Sequence, residues 1–443
     1  MSPRRSADVA RRGVVEDRIS SLPIELLLQI LLRLRCARAA ARTGLVSRHW
    51  RGLWALLPEI HLRDLPDSVK ASLIKLSRPG VVEAPPDVLH VETSGKGITN
   101  KLVVSCLRHA ALLAPKELKL TLTVPQIRPT TCIELPCFDR TESIELTQCG
   151  INFELKPPQA GNFDKLKRLA LTGGYFNATE MLPRCPSLRR LEVVRTYNRG
   201  SSQTIDSATL LELVLDTTNV KVIAPNLEKL SLGCTLHLEK TKLEDVAKLR
   251  ELTLLGLQLD RLGRLVCFGL GAEDLWNKLP HLHLLRFKLT LGQLHYEFDP
   301  RFLMRTLPKT SILMLQLSTS GHEFAGTVLR VLKMVEGIEE LTILMELSEL
   351  QETCSPECYC RPSRTWTSED LSLLHLKKVE LKDFTGANSA TSVLELLLAS
   401  ARALEKMNVT LCNKDSPGYE GHKQQLINIF NQYPTVECEV LDA

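Results

Sequence analysis

The chain has 443 residues, enough to bury more than one hydrophobic core. Apolar content of 44% and charged content of 24% are ordinary for a soluble globular protein. A net charge of +5 over this length is too slight to argue for a nucleic-acid partner. Aromatic residues make up only 5% while leucine is over-used, which points to a core of many small repeated layers. The thirteen cysteines are scattered without framework spacing, so free thiols in a reducing compartment, cytoplasm or nucleus, are expected. The apolar run from Leu22 to Leu34 is too short to span a bilayer. Pro23, Glu25, Gln29 and Arg33 also interrupt it as a signal core, so no membrane segment is expected.

Residues 1–15 are polar, basic and aperiodic, the pattern of a solvated tail. Order is expected from about Asp17. Pro23 suits a first helical turn, and Glu25 favours the positive end of the helix dipole. Glu25, Gln29 and Arg33 lie four apart and form one narrow polar stripe, leaving every other face of the helix apolar. A second helical stretch covers Ala37 to Thr43. A third is expected from about Leu45 to Leu57, where Val46, Trp50, Leu53 and Leu57 share a face. A unit of this size cannot bury all of that apolar surface by itself. The remainder needs either the following domain or another protein.

The string Asp17-Arg18-Ile19-Ser20-Ser21-Leu22-Pro23, running through to Ser47-Arg48-His49-Trp50-Arg51-Gly52-Leu53-Trp54, resembles a plant F-box over residues 16–62. It has the opening Leu-Pro, the leucine/isoleucine helix and the closing Ser-Arg-x-Trp-Arg-x-Leu-Trp. The resemblance implies a three-helix module that docks on a Skp-type adaptor and through it on a cullin. By position it implies an adaptor face of Leu22, Pro23, Leu27, Ile30, Leu31, Val46, Trp50 and Trp54. Core packing is the competing reading for each of these apolar residues. The family often has Leu-Pro where this chain has Arg35-Cys36, a charge at or near that face.

Residues 63–86, with Val69, Leu73 and Leu76 ahead of Pro85-Pro86, read as a helical joint. Over 87–350 a short pattern recurs: apolar, two variable, apolar, one variable, apolar. It stands at Leu166-Leu169-Leu171, Leu188-Leu191-Val193, Leu210-Leu213-Leu215, Leu227-Leu230-Leu232 and Leu249-Leu252-Leu254. Looser copies are Leu282-Leu285-Phe287, Ile312-Leu315-Leu317 and Ile338-Leu341-Ile343, with degenerate ones at Leu118-Leu120 and Ile144-Leu146. The spacing matches leucine-rich repeats, each a short strand too small to bury its leucines alone, so that neighbours must stack. Gly271 to Leu279 and Thr327 to Val335 read as helices in the longer gaps. Residues 351–441 differ in pattern. A strand at Leu376 to Leu381, a helix at Ser392 to Ala399 and a strand at Leu404 to Leu411 resemble the FBD region of plant F-box proteins. The fold class implied is an α+β chain on an α/β solenoid: a three-helix F-box module, a leucine-rich-repeat solenoid and an FBD-like αβ cap.

No P-loop, G-x-S-x-G, H-E-x-x-H or dinucleotide fingerprint is present. Cys354, Cys358 and Cys360 lack a paired second knuckle, so neither zinc nor any other cofactor is expected, with His375 the next candidate ligand. His281 and His283 flank a leucine-rich strand and read as surface residues. The reading is a non-catalytic substrate receptor of a Skp–cullin–F-box ubiquitin ligase. Its partners would be the adaptor and an unknown protein substrate, with no nucleic acid and no membrane. The rival is a leucine-rich-repeat interaction protein whose N-terminal helices cap the solenoid.

Overall fold

A computed structural model describes residues 19, 22–45, 47–124, 131–149, 153–196, 203–217, 220–233, 242–259, 265–266, 279, 282–290, 307–318, 323–346, 371–386, 388–412 and 418–442. The chain divides into two compact units, residues 1–126 with 138–141, and residues 127–137 with 142–443.

The first unit opens with helices α1 (Ile24–Arg33) and α2 (Ala37–Thr43). The expected third helix is instead two 3-10 turns, Arg48–Trp50 and Leu53–Leu56. Ser47 starts the first by accepting a hydrogen bond from the His49 N–H. Arg51 is extended, and Gly52, at φ +85°, reverses the chain before the second. Leu27, Leu31, Ala40, Trp50, Leu53 and Leu57 make a closed core from these four short elements. The sequence spacing of the third segment thus recorded one buried face, but not its helix type.

Strand β1 (Glu59–Arg63) follows, then α3 (Pro66–Leu76), β2 (Val88–Ser94), α4 (Asn100–Leu113) and β3 (Glu117–Thr123). The three strands are parallel, with Ile60 opposite Leu89 and Leu89 opposite Leu118. Pro66 opens α3, whose Val69, Leu73 and Leu76 are buried as their spacing requires, and α3 packs against α4. The boundary expected at residue 62 falls inside β1, so the helical module runs directly into the first strand of the repeats. Arg140 ties this unit together: its guanidinium donates to the carbonyls of Pro85, Pro86 and Ala114 and pairs with Asp87 at 3.3 Å.

The second unit is a parallel sheet of successive strands from Ser143–Cys149 to Glu437–Asp442. The recurring leucines sit where their pattern puts them. Leu169, Leu191, Leu213, Leu230 and Leu252 lie opposite one another in register and are buried. Shorter strands on a second face form two parallel three-stranded sheets, one of Thr131–Glu134, Phe153–Lys156 and Tyr175–Phe176, the other of Gln203–Asp206, Val220–Ile223 and Lys242–Asp245. One repeat departs from the sequence reading. Leu282 pairs with Thr310 and Leu285 with Leu313, so the triplet is Thr310, Leu313 and Leu315; the expected Leu315 and Leu317 are inward, but Ile312 faces outward opposite Leu284.

Helix Ala325–Lys333 lies between strands Thr310–Ser318 and Glu340–Glu346 and starts two residues before the expected Thr327. Of the expected Gly271–Leu279 helix only Leu279 is described, and it is buried. The C-terminal part carries strand Lys378–Phe384, helix Asn388–Ser400 and strand Lys406–Leu411, close to the expected ranges. Helix Tyr419–Phe430 and strand Glu437–Asp442 follow, both without a sequence-based expectation. The Cys354–Pro362 segment and Trp366 lie outside the described residues.

Candidate functional site

Helix α1 is divided lengthwise into three sectors. At one hundred degrees per residue, Leu27 and Leu31 point into the module core, with Leu28 and Leu32 partly buried beside them. Glu25, Gln29 and Arg33 make the polar sector. The third sector is Leu26, Ile30 and Leu34, spaced four apart, all exposed, with Pro23 exposed at its start. A helix serving only its own module needs one apolar sector. This one has two, and the second is open.

The residues expected at the adaptor face therefore separate. Leu27, Leu31 and Trp50 are in the module core, and Leu22 and Trp54 are partly buried against it. Pro23 and Ile30 are exposed together. Val46 lies outside the described residues. Sequence reasoning missed Leu26 and Leu34, which were hidden because α1 has leucines on nearly every face. Ile19, Ile24 and Leu45 add exposed apolar surface in the same segment.

The remaining potential sites are modest. An open depression of about 550 Å³ is lined by Leu282, His283, Lys309, Thr310, Ser311, Glu336, Gly337 and His375. Lys309 lies 3.6 Å from Glu336 there, so the basic group has a carboxylate neighbour. Among the described residues no three His, Cys, Asp or Glu side chains gather as metal ligands. Within those residues no helix is long and apolar enough to cross a membrane.

The family model of the leucine-rich repeats of the FBD-associated F-box protein At5g56370 matches residues 103–304. The F-box/FBD/LRR-repeat protein At2g04230 of Arabidopsis thaliana is 27% identical over 265 residues, 53% of this chain and 57% of that protein. The F-box/LRR-repeat protein At5g02910 of the same plant is 25% identical over 438 residues, 91% of this chain and 90% of its own length. The chain is similar to the plant F-box/FBD/leucine-rich-repeat proteins. The first-named of these relatives is matched over little more than half its length, the second nearly end to end.

Against that family pattern, the Arg35-Cys36 departure has a clear local structure. Arg35 is exposed at φ +45° and closes α1, and the extended Cys36 opens α2. The charge stands on the turn that follows Leu34, at the end of the open stripe. On the other side of the module, α2 packs against β1. Arg38 there reaches Asp64 at 2.5 Å. Asp64 also accepts from the Leu65 N–H and the Ser68 hydroxyl, each at 2.8 Å. These hydrogen bonds, the backbone one first, hold its carboxyl below the usual range.

Proposed function

We propose that this chain is the substrate-recognition subunit of a Skp–cullin–F-box ubiquitin ligase. The observation that carries the reading is the open stripe Leu26-Ile30-Leu34, with Pro23, on a helix whose neighbouring Leu27-Leu31 sector already fills its module's core. The stripe offers a Skp-type adaptor an apolar, helical docking edge, the kind of surface that a groove takes up. The repeats bind the protein substrate, and the chain itself performs no transfer. Ubiquitin chemistry is left to the other subunits, reached through adaptor and cullin. The place of action is the cytoplasm or the nucleus.

The test is co-purification of the full chain with a Skp-type adaptor. A stable complex that is lost in Ile30→Glu supports the reading, and absence of any complex overturns it. The second reading, that the helices serve to cap the repeats, is favoured by α2 packing on β1 and the Arg38–Asp64 pair. It predicts no adaptor complex and full stability in Ile30→Glu.

A further inference from the structure

From Arg168 onward, the outward face of the second unit's sheet carries a row of mostly charged residues that lie in register across successive strands. In register this row reads Arg168, Arg190, Glu212, Lys229, Glu251, Leu284, Ile312, Glu340, Lys378, Lys406 and Glu437. The charged members are neutralised locally. Arg190 pairs with Glu212 at 2.6 Å, Lys229 with Glu251 at 3.2 Å, Glu340 with Lys378 at 3.6 Å and Lys406 with Glu437 at 3.0 Å. Arg168 reaches Glu145 and Glu192.

The row is broken on two adjacent strands, Leu282–Thr290 and Thr310–Ser318, where Leu284 and Ile312 face outward side by side. Met314 stands one outward position further along, opposite Arg286. All four are only partly buried. The Arg286 guanidinium lies 3.4 Å from the Met314 sulfur and, among the described residues, has no carboxylate partner. Lys288, the next outward residue, is 3.8 Å from Glu346. The sheet thus neutralises its charges along the row but keeps, at the gap, an apolar patch beside an arginine with no carboxylate partner among the described residues.

We propose that Leu284, Ile312, Met314 and Arg286 form the docking site for a polypeptide segment with apolar side chains next to an Asp or Glu carboxylate. The identification of that segment as part of the ubiquitination substrate rests on the receptor reading above; the binding chemistry does not. The paired charges on either side are costly to desolvate and already satisfied, so they frame the site. An apolar surface with one planar, five-donor cation is the make-up of an interface anchor, and a carboxylate is the group its fork fits. A basic segment would meet Arg286 and Lys288 as like charges.

The experiment selects short displayed peptides on the immobilised full chain without adaptor, and then measures the selected peptides as labelled probes in solution. Apolar–acidic peptides should be enriched. Replacing their Glu by Gln should weaken binding, and Arg286→Glu should lower affinity about tenfold or more and turn the selection toward Lys. Ile312→Ser should weaken binding too, and Lys406→Glu, remote in the paired row, should not. Selection of no peptide, or of basic or purely apolar ones, overturns the proposal. So does unchanged binding in Arg286→Glu and Ile312→Ser with an unaltered melting temperature. Adaptor capture is measured on the same proteins: its failure with peptide binding intact overturns the ligase reading alone, and the converse overturns the docking site alone.

Discussion

Ile30 and Leu31 are consecutive residues of one helix, yet Leu31 is 1% exposed and Ile30 39%. Leu31 belongs to the module's own core, and Ile30 to surface that the module leaves uncovered. Ile30→Glu should therefore leave the free chain's melting temperature nearly unchanged and remove adaptor capture, because the complex would bury an unpaired charge. Leu31→Ala should do something different, costing about 2–5 kcal/mol of stability in the free chain. Thermal unfolding together with adaptor pull-down reads both. An Ile30→Glu chain that unfolds early places Ile30 in the core, and one that still binds removes it from the adaptor face.

In the repeats, Leu191 and Leu230 are buried inward residues of parallel strands. Each change to Ala should cost about 2–5 kcal/mol, the larger figure where neighbouring strands hold the cavity open. Ile312→Ala is the control on the same kind of strand: facing outward, it should change stability much less. Denaturant midpoints of the three variants decide. Equal losses at Ile312 and Leu191 would return Ile312 to the inward set.

The leucine pattern made most repeat strands legible because each strand has one apolar face, and period two then fixes the register. It slipped at Ile312-Leu313-Met314-Leu315, where four consecutive apolar residues let the triplet be set two residues late: Leu315 and Leu317 are inward as expected, and Ile312 is not. The same excess of apolar residues is what leaves Ile312 and Met314 on the open face. At α1 the sequence announced surplus apolar surface but could not divide it, since leucines flank the polar stripe on both sides. Core and open stripe are told apart only by the packing of Ala40, Trp50 and Leu53 with Leu27 and Leu31. The 3-10 turns were missed because Val46, Trp50, Leu53 and Leu57 fit a helical face even though Gly52 breaks the segment.

Gly173 and Gly256 both hold positive φ, +76° and +71°. A Cβ on Gly173 would lie 2.1 Å from the Gln148 carbonyl oxygen, whereas one on Gly256 meets nothing within 4 Å. Gly256→Ala should cost about 1–2 kcal/mol from backbone conformation alone. Gly173→Ala should cost clearly more, because the close approach of two neighbouring strands must open. Unfolding midpoints measure the difference, and equal costs would mean that the Gln148 carbonyl gives way freely to a Cβ at Gly173.

Burial pushes the Cys106 thiol up to about 11, against a weaker opposite pull from Lys70, and the Cys185 thiol up to about 12. Both ionise less readily folded than unfolded. Above the ordinary thiol value of about 8.5 the unfolded chain gives up these protons first. Stability is therefore full below that pH and falls as pH climbs toward the raised values. Urea midpoints at about pH 8 and about pH 10 should drop more in the native chain than in Cys106→Ala/Cys185→Ala. With a thiol reagent at neutral pH, the exposed Cys132 and Cys149 should react well before either buried thiol. Early labelling of Cys106 would place it at the surface.

Adaptor binding and substrate binding should separate by substitution on the open stripe, not by truncation. Deleting residues 1–62 is the wrong cut, because it removes β1, whose Ile60 and Leu62 are buried and whose backbone pairs with β2. That deletion should give an aggregating protein with β2 as a raw sheet edge. The pair Leu26→Glu/Ile30→Glu changes only the open stripe and keeps the α1 core, the α2 contact with β1 and the Arg38–Asp64 pair. The double variant should stay soluble with the native melting temperature, fail to capture the adaptor, and still hold its substrate. Over-produced in cells with the native chain, it should lengthen the substrate's half-life, since it occupies substrate without delivering it to the ligase. Half-lives measured by a translation-block chase decide the matter. A substrate degraded at the ordinary rate, with the variant shown to be bound to it, would mean that delivery does not pass through α1.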